Sequence, residues 1–102
     1  MKIVIVGAGK VGSALTQQLS AEKHKVTVIE QNPQIVENII NIHDVMSVCG
    51  NGAAYLVQKE ADVPHADLLI ATTSSDEINI LACLVAKKLG VQHTIARIRN
   101  PE

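Results

Sequence analysis

A β-branched run that ends in a glycine-rich loop constrains the fold of this chain more than any other feature. The residues Ile3-Val4-Ile5-Val6 lead directly into Gly7-Ala8-Gly9-Lys10-Val11-Gly12, which satisfies the pattern G-x-G-x-x-G. The pattern alone has many false matches. Here a helix-like pattern follows, and a second apolar run ends on Glu30, 18 residues after Gly12, close to the spacing of about 20 in dinucleotide-binding units. The segment therefore predicts a Rossmann-type strand, loop and helix.

Each glycine of the loop has a physical reason. Gly7 permits the tight turn out of the strand, Gly9 lets backbone amides approach a pyrophosphate, and Gly12 lets the helix pack closely on the sheet. The helix N-terminus offers N–H groups and a partial positive charge to phosphates. The alternative is a tight turn that binds no ligand.

Glu30 is predicted to lie at the carboxyl end of the second strand. There its carboxylate accepts hydrogen bonds from both hydroxyls of an adenosine ribose. A 2′-phosphate would be repelled, so NADP is disfavoured. The alternative is a solvated surface carboxylate.

Short apolar runs alternate with helical patterns along the rest of the chain. Strands are predicted at 2–6, 25–30, 45–49, 67–72 and 93–98, and the helices between them have apolar residues at helical spacing. These sheet-facing residues are Val11, Leu15 and Leu19, then Ile35, Ile39 and Ile42, then Ile78, Leu81, Ala82, Val85 and Leu89. Alternating strands and helices predict an α/β fold, a Rossmann-like doubly wound parallel sheet in the order 3-2-1-4-5 with helices on both faces.

Local signals predict where helices begin and end. A short helix is expected over 53–61, ended by the Val63-Pro64 step. Ser74 and Glu77 have the spacing of a capping box, and Gly90 stands where the following helix should stop.

Three further segments are predicted to reach the ligand-binding edge of the sheet. Asn51, in Gly50-Asn51-Gly52, could contact an adenine edge, although Asn-Gly is also a strong turn former. Thr72, Thr73 and Ser74 would bring hydroxyls near the phosphates, although helix capping also explains Ser74. Arg97 and Arg99 alternate on the last predicted strand and could meet a phosphate or a partner's carboxylate, or could simply be edge-strand charges.

Length and composition exclude several classes of protein. The 102 residues suffice for one domain and are too few for a cofactor domain joined to a substrate domain. A net charge of -1 and a single aromatic residue, Tyr55, argue against nucleic-acid binding.

No apolar run approaches the roughly 20 residues of a membrane span. Two separated cysteines argue against zinc. Four scattered histidines, expected to be solvated, leave no catalytic or metal constellation, so we do not expect an enzyme.

The later segments carry a specific resemblance. Gly-Ala-Gly-Lys-Val-Gly, the Gly-Asn-Gly loop and especially 72–79 (TTSSDEIN) and 96–102 (ARIRNPE) are similar to the TrkA-N domain family. This family, also called RCK or KTN domains, comprises cytoplasmic regulatory units of potassium uptake and channel systems. The resemblance covers the whole chain, and it implies a single nucleotide-binding domain over 1–102.

The resemblance also implies a ligand, a site and partners. The ligand is NAD(H), or alternatively ATP, ADP or AMP, and the partners are further copies, forming dimers and rings, and a membrane potassium transporter subunit. The protein would then work in the cytoplasm, peripheral to the inner face of the cell membrane. The implied site residues are Gly7, Ala8, Gly9, Lys10, Val11, Gly12, Glu30, Asn51, Gly52, Ala53, Thr72, Thr73, Ser74, and Arg97 or Arg99.

Two departures leave the choice of ligand open. Many relatives have Asp where this chain has Asn51, and members that respond strongly to ATP often have Arg where Lys10 stands. Lysine acts as a point charge without the bidentate geometry of arginine.

Three functions follow as hypotheses. The preferred one is a nucleotide-sensing regulatory domain that gates K⁺ transport. The alternatives are the cofactor-binding domain of an NAD-dependent oxidoreductase and an interaction domain with a vestigial site. Because the chain ends directly after the fifth predicted strand, we expect it to be the N-terminal part of a longer protein.

Overall fold

The computed structural model describes residues 1–99. Strands and helices alternate from the first residues to the last described ones, as the sequence predicted. The strands are β1 (Lys2–Val6), β2 (Lys25–Glu30), β3 (Met46–Cys49), β4 (Leu68–Ala71) and β5 (His93–Ala96). The helices are α1 (Lys10–Ala21), α2 (Pro33–Ile42), α3 (Tyr55–Glu60) and α4 (Asp76–Lys88), with a 3₁₀ turn at Val63–His65. The predicted match at Asn100, Pro101 and Glu102 lies outside the described residues.

The five strands form one parallel sheet in the order β3-β2-β1-β4-β5. β1 is central, with Ile5 paired to Val28 of β2 on one side and to Ile70 of β4 on the other. The order reverses between β1 and β4, which is the point where sheets of this type bind ligands. The predicted fold class is confirmed.

The core has two layers because alternate residues of each strand face opposite sides. On one side Val4, Val6 and Leu69 pack with Ala82 and Ala86 of α4. On the other side lie Ile3, Ile5, Val28 and Ile39, with Leu15 and Leu19 of α1 packed against them. Helices therefore cover both faces of the sheet.

The periodicity placed most helical residues correctly and one residue per helix wrongly. Val11 is 36% exposed, Ile42 is 72% exposed and Leu81 is 49% exposed. The helical faces are rotated toward Gly12 and Thr16 in α1, Val36 in α2 and Ala86 in α4, which are buried. In α1 and α4 the buried residues are small or polar and carry little weight in an apolar pattern, whereas in α2 apolar residues stand next to one another, so the pattern alone does not fix the rotation.

Several predicted boundaries also shift. β4 and β5 are shorter than predicted, so Thr72, Arg97 and Arg99 lie in loops beyond the strands. α3 ends at Glu60, because Asp62 adopts a left-handed conformation (φ 61°) before the 3₁₀ turn that contains Pro64. The proline thus begins a new turn and does not itself end the helix.

The predicted capping box at α4 is wrong by one residue. Ser75 is the N-cap, and its Oγ accepts the Ile78 N–H at 3.2 Å. Asp76 and Glu77 occupy the first turn, where negative charge is favoured. At the other end Gly90 has φ +105° directly after the cap residue Leu89, which confirms the predicted stop.

Candidate functional site

The glycine loop between β1 and α1 has the geometry that the three glycines predicted. Gly7 has φ +96°, a conformation that side chains rarely adopt. A Cβ at Gly12 would lie 1.9 Å from the Gly7 carbonyl oxygen and 2.9 Å from Thr72 Oγ1, so only glycine allows α1 to approach this closely. A Cβ at Gly9 would meet nothing within 4 Å. The middle glycine therefore faces open space, where a ligand can approach the backbone.

The first turn of α1 begins beside that space and has backbone donors without acceptors in the helix. The first intrahelical bond runs from Ser13 N–H to the Gly9 carbonyl at 2.9 Å, so the N–H groups of Lys10, Val11 and Gly12 have no acceptor within the helix. Gly9, the N-cap, has no side chain to cap them. Amides in this arrangement, together with the helix dipole, are suited to an anionic phosphate. Lys10 is exposed at the same end and adds a positive charge.

Glu30 lies at the end of β2, as predicted, and its carboxylate is held by two backbone amides. Oε1 accepts the Ala8 N–H at 2.7 Å, and Oε2 accepts the Asn32 N–H at 2.8 Å. A carboxylate has about four acceptor positions, so two remain for the vicinal hydroxyls of a ribose. Ala8 is buried and its N–H is already used by Glu30, so its part in the site is to join the loop to this carboxylate.

The loop after β3 brings Asn51 to the same edge of the sheet in a local turn. Asn51 Oδ1 accepts the Ala53 N–H at 2.9 Å, and the Asn51 carbonyl accepts the Ala54 N–H at 3.0 Å. The turn-forming role that the sequence left open is therefore present, and it occupies the side-chain oxygen. Gly52 is required by packing, since a Cβ there would lie 2.1 Å from Val6 Cγ1.

The loop after β4 supports the glycine loop from the other side. Thr72 is buried, and its hydroxyl lies 3.3 Å from the Val6 carbonyl oxygen and 3.2 Å from that of Gly7. Thr73 is held by Asn79 of α4, through its N–H at 2.8 Å and its hydroxyl at 2.7 Å. Thr72 thus fixes the turn at Gly7, whereas Thr73 is half-buried and Ser74 exposed along the open part of this edge.

The two arginines follow β5 and are both exposed. The Arg97 N–H donates to the Ala71 carbonyl at 2.9 Å, which ties this segment to the end of β4. The Arg99 N–H donates to Asp76 Oδ1 at 3.1 Å, and its guanidinium approaches the Ser74 carbonyl at 3.4 Å. Both arginines thus lie at the edge of the sheet where the glycine loop lies.

These segments surround one cleft of about 420 Å³ at the carboxyl edge of the sheet, within the range of about 300–1,000 Å³ of small-molecule sites. Of the predicted site residues, Val11, Gly12 and Ala53 do not line this cleft, and the others do. The cleft is also lined by residues that the sequence did not indicate as site residues: Val6, Ile29, Gln31, Ile35, Gly50, Ser75 and Ile78. Ile35 and Ile78 belong to apolar helical faces, so their pattern indicated only core packing.

The most strongly shifted carboxyl group lies outside this cleft. Hydrogen bonds from Lys2 and His65 lower the pKa of Asp62 to about 2, and these residues belong to the opposite end of the sheet. Burial raises the pKa of the Cys83 thiol on α4, opposed in part by a hydrogen bond with Thr94. Neither group is placed to act as an acid, base or nucleophile in the cleft.

Residues 1–99 contain no group of three or more His, Cys, Asp or Glu side chains arranged to hold a metal ion. Within the same residues, no helix is long and apolar enough to cross a membrane.

A doubly wound parallel sheet, three glycines at the first crossover and a carboxylate at the end of β2 define the Rossmann-like class of domains, whose usual ligands are dinucleotides. The model of the TrkA-N domain family matches residues 3–102. The chain belongs to the TrkA-N domain family.

Several curated relatives match the full length of the chain. The Trk system potassium uptake protein TrkA homolog of Archaeoglobus fulgidus is 42% identical over 102 residues, which are 23% of its own length. The protein of the same name from Methanothermobacter thermautotrophicus is 35% identical over 102 residues, 47% of its length. The chain thus spans less than half of either relative. Both are named for potassium uptake and not for an enzymatic reaction.

Among solved structures, the GsuK channel bound to NAD superposes with a TM-score of 0.84 over 98% of this chain and 18% of that chain. At 24% identity, this likeness concerns the fold.

Proposed function

We propose that this domain binds an adenine nucleotide in the cleft at the carboxyl edge of the sheet, with NAD(H) as the first candidate and ATP, ADP and AMP as alternatives. The observation that carries the proposal is the joint placement of the α1 N-terminus and the Glu30 carboxylate, connected through Ala8. The N–H groups at the α1 N-terminus suit a phosphate, and the Glu30 carboxylate suits the hydroxyls of a ribose.

The proposed ligand follows the sheet edge from Glu30 toward β5. Glu30 binds the adenosine ribose, and the amides of the α1 first turn bind the phosphates. The part of the ligand beyond the phosphates lies against the ends of β4 and β5. Arg97 and Arg99 supply positive charge at that far end. Asn51 lies beside the adenine position and has its side-chain nitrogen available as a donor.

We further propose that the domain is the nucleotide-sensing part of a cytoplasmic potassium uptake or channel regulator, one domain of a longer protein. Two findings support this proposal. The chain is 35–42% identical in sequence to proteins named Trk system potassium uptake protein TrkA homolog, and a channel of the same fold has been solved bound to NAD. In this proposal the domain assembles with further copies and acts on a membrane transporter subunit at the inner face of the membrane. The aliphatic face of α4 formed by Ile80, Leu81 and Leu84 is exposed and is the proposed contact between copies.

Isothermal titration of the purified chain with NADH, NAD⁺, ATP, ADP and AMP tests the nucleotide site. Glu30→Ala removes the ribose acceptor, and hydrogen bonds to a charged group contribute about 1.5–3 kcal/mol, so the affinity should fall about 10- to 100-fold. Glu37→Ala, an exposed glutamate on α2, is the matched control and should bind as the unaltered chain does. NADPH should bind more weakly than NADH, because its 2′-phosphate meets the carboxylate. Absence of binding by all five nucleotides would refute the proposal.

A further inference from the structure

Asn79 is a buried polar residue on the sheet-facing side of α4. Its side chain is 0% exposed, next to the core residues Ala82 and Ala86 of the same helix. A buried amide without hydrogen-bond partners would be strongly destabilising. Its presence in an otherwise apolar face therefore requires a set of specific hydrogen bonds.

The Asn79 carboxamide uses all of its hydrogen-bonding capacity. Oδ1 accepts the Thr73 N–H at 2.8 Å and the Thr73 hydroxyl at 2.7 Å. Nδ2 donates to the carbonyl oxygens of Thr73 at 3.1 Å and Arg97 at 2.9 Å. Two carbonyl acceptors and one N–H donor fix which way the amide points.

These partners belong to the two segments that form the far half of the cleft. Thr73 follows β4 and Arg97 follows β5, and both line the cleft. The Asn79 side chain hydrogen-bonds to both segments. None of its bonds reaches Glu30 or the first turn of α1, which form the near half.

We propose that Asn79 is a positioning residue that sets the far half of the cleft and thereby the preference for ligands that extend beyond the first nucleotide. This inference rests on the proposed nucleotide site. AMP, with one ribose and one phosphate, is complete within the near half. NADH carries a second phosphate and a second nucleoside, which lie across the switch point against the ends of β4 and β5. The position of those ends depends on Asn79.

Asn79→Asp separates the bonds that the carboxamide oxygen accepts from the bonds that its nitrogen donates. The aspartate keeps an oxygen for the Thr73 N–H and hydroxyl, but it removes the donor to the carbonyls of Thr73 and Arg97. Asn79→Ala, a neutral change, removes all four bonds. Asn38→Asp, on the exposed side of α2, is the matched control. Circular dichroism and thermal unfolding establish that each variant is folded before titration.

The measurement is the ratio of the Kd for NADH to the Kd for AMP. In the Asn79 variants we expect the Kd for NADH to rise about tenfold or more and the Kd for AMP to change less than about twofold. A general loss of structure would raise both values together, so equal increases would overturn the inference, and so would two unchanged values.

A second measurement uses the unaltered chain and does not depend on the folding of any variant. In NMR titrations, NADH should shift the Asn79 side-chain NH₂ signals and the backbone amides of Thr73 and Arg97, and AMP should leave them in place. Unchanged Asn79 signals on NADH binding would overturn the inference while leaving the nucleotide site intact. Failure of the unaltered chain to bind either ligand would overturn the nucleotide site and this inference together.

Discussion

At the scale of single residues, the three loop glycines are required for different reasons. Gly12 has no room for a Cβ, because the Gly7 carbonyl oxygen would be 1.9 Å away. Gly9 has φ -73° and open space around its Cα. The sequence predicted a close-packing role for Gly12 and an open backbone at Gly9, and the structure has both features. The packing thus separates a glycine needed for folding from one that leaves the backbone of the loop open.

This difference predicts opposite outcomes for two alanine substitutions. Gly12→Ala should lower the free energy of unfolding by about 1–3 kcal/mol or more, because the added methyl overpacks against backbone. Gly9→Ala should cost at most about 1 kcal/mol, since alanine is a poorer N-cap than glycine, but it should weaken nucleotide binding, since its methyl projects into the ligand's space. Urea unfolding and titration with NADH measure the two effects. Equal stability of both variants would contradict the assigned packing role of Gly12.

At the scale of elements, α4 shows where local signals were sufficient and where they were not. Ser74 and Ser75 both precede the helix and both are good caps. The capping-box spacing favoured Ser74, but Ser75 accepts the Ile78 N–H. Hydrogen bonds between Thr73 and Asn79 explain why Ser75 is the cap. They fix the loop after β4 and so place the start of α4 one residue later.

Substitution of the two serines distinguishes the caps. Ser75→Ala should destabilise the chain by about 1 kcal/mol, the usual cost of a lost N-cap, and lower Tm by about 4–8 °C in a domain of this size. Ser74→Ala should have little effect, because its exposed hydroxyl caps nothing. Thermal unfolding by circular dichroism provides the measurement. A larger loss for Ser74→Ala would restore the capping box that the sequence suggested.

At the scale of the whole molecule, the exposed side of α4 is unusually apolar. Ile80, Leu81 and Leu84 are 47%, 49% and 58% exposed and lie one helical turn apart or adjacent. Contiguous exposed apolar patches mark association sites in many proteins. A face of this kind fits the proposed assembly of several copies. Assemblies of identical chains most often have two-fold symmetry.

Charge introduced into this face tests the assembly. The unaltered chain should sediment as a dimer or larger species, and Leu84→Glu should sediment as a monomer with the same circular dichroism spectrum. Leu56→Glu, at a leucine of α3 that is 75% exposed, is the control and should retain the assembly. If the unaltered chain and Leu84→Glu sediment alike, this face is not the contact between copies.

The fold and the near half of the site were predictable from sequence because they depend on local physics. Alternating β-branched runs and amphipathic helices specify a parallel doubly wound sheet. The glycine loop and the carboxylate at the end of the next strand lie within one strand-helix-strand unit, so sequence spacing alone brings them together.

The far half of the site depended on contacts between distant segments. Asn79 stands in an apolar helical pattern, and only packing joins it to Thr73 and Arg97. The rotation of α1 and α4, which exposes Val11 and Leu81, likewise buries Gly12 and Ala86, residues with little weight in an apolar pattern. The sequence by itself therefore determined the architecture and the meeting of the glycine loop with Glu30, since these follow from neighbouring residues. The tertiary structure decided which polar groups are already used in holding the loops and which remain for a ligand, because that depends on three-dimensional packing.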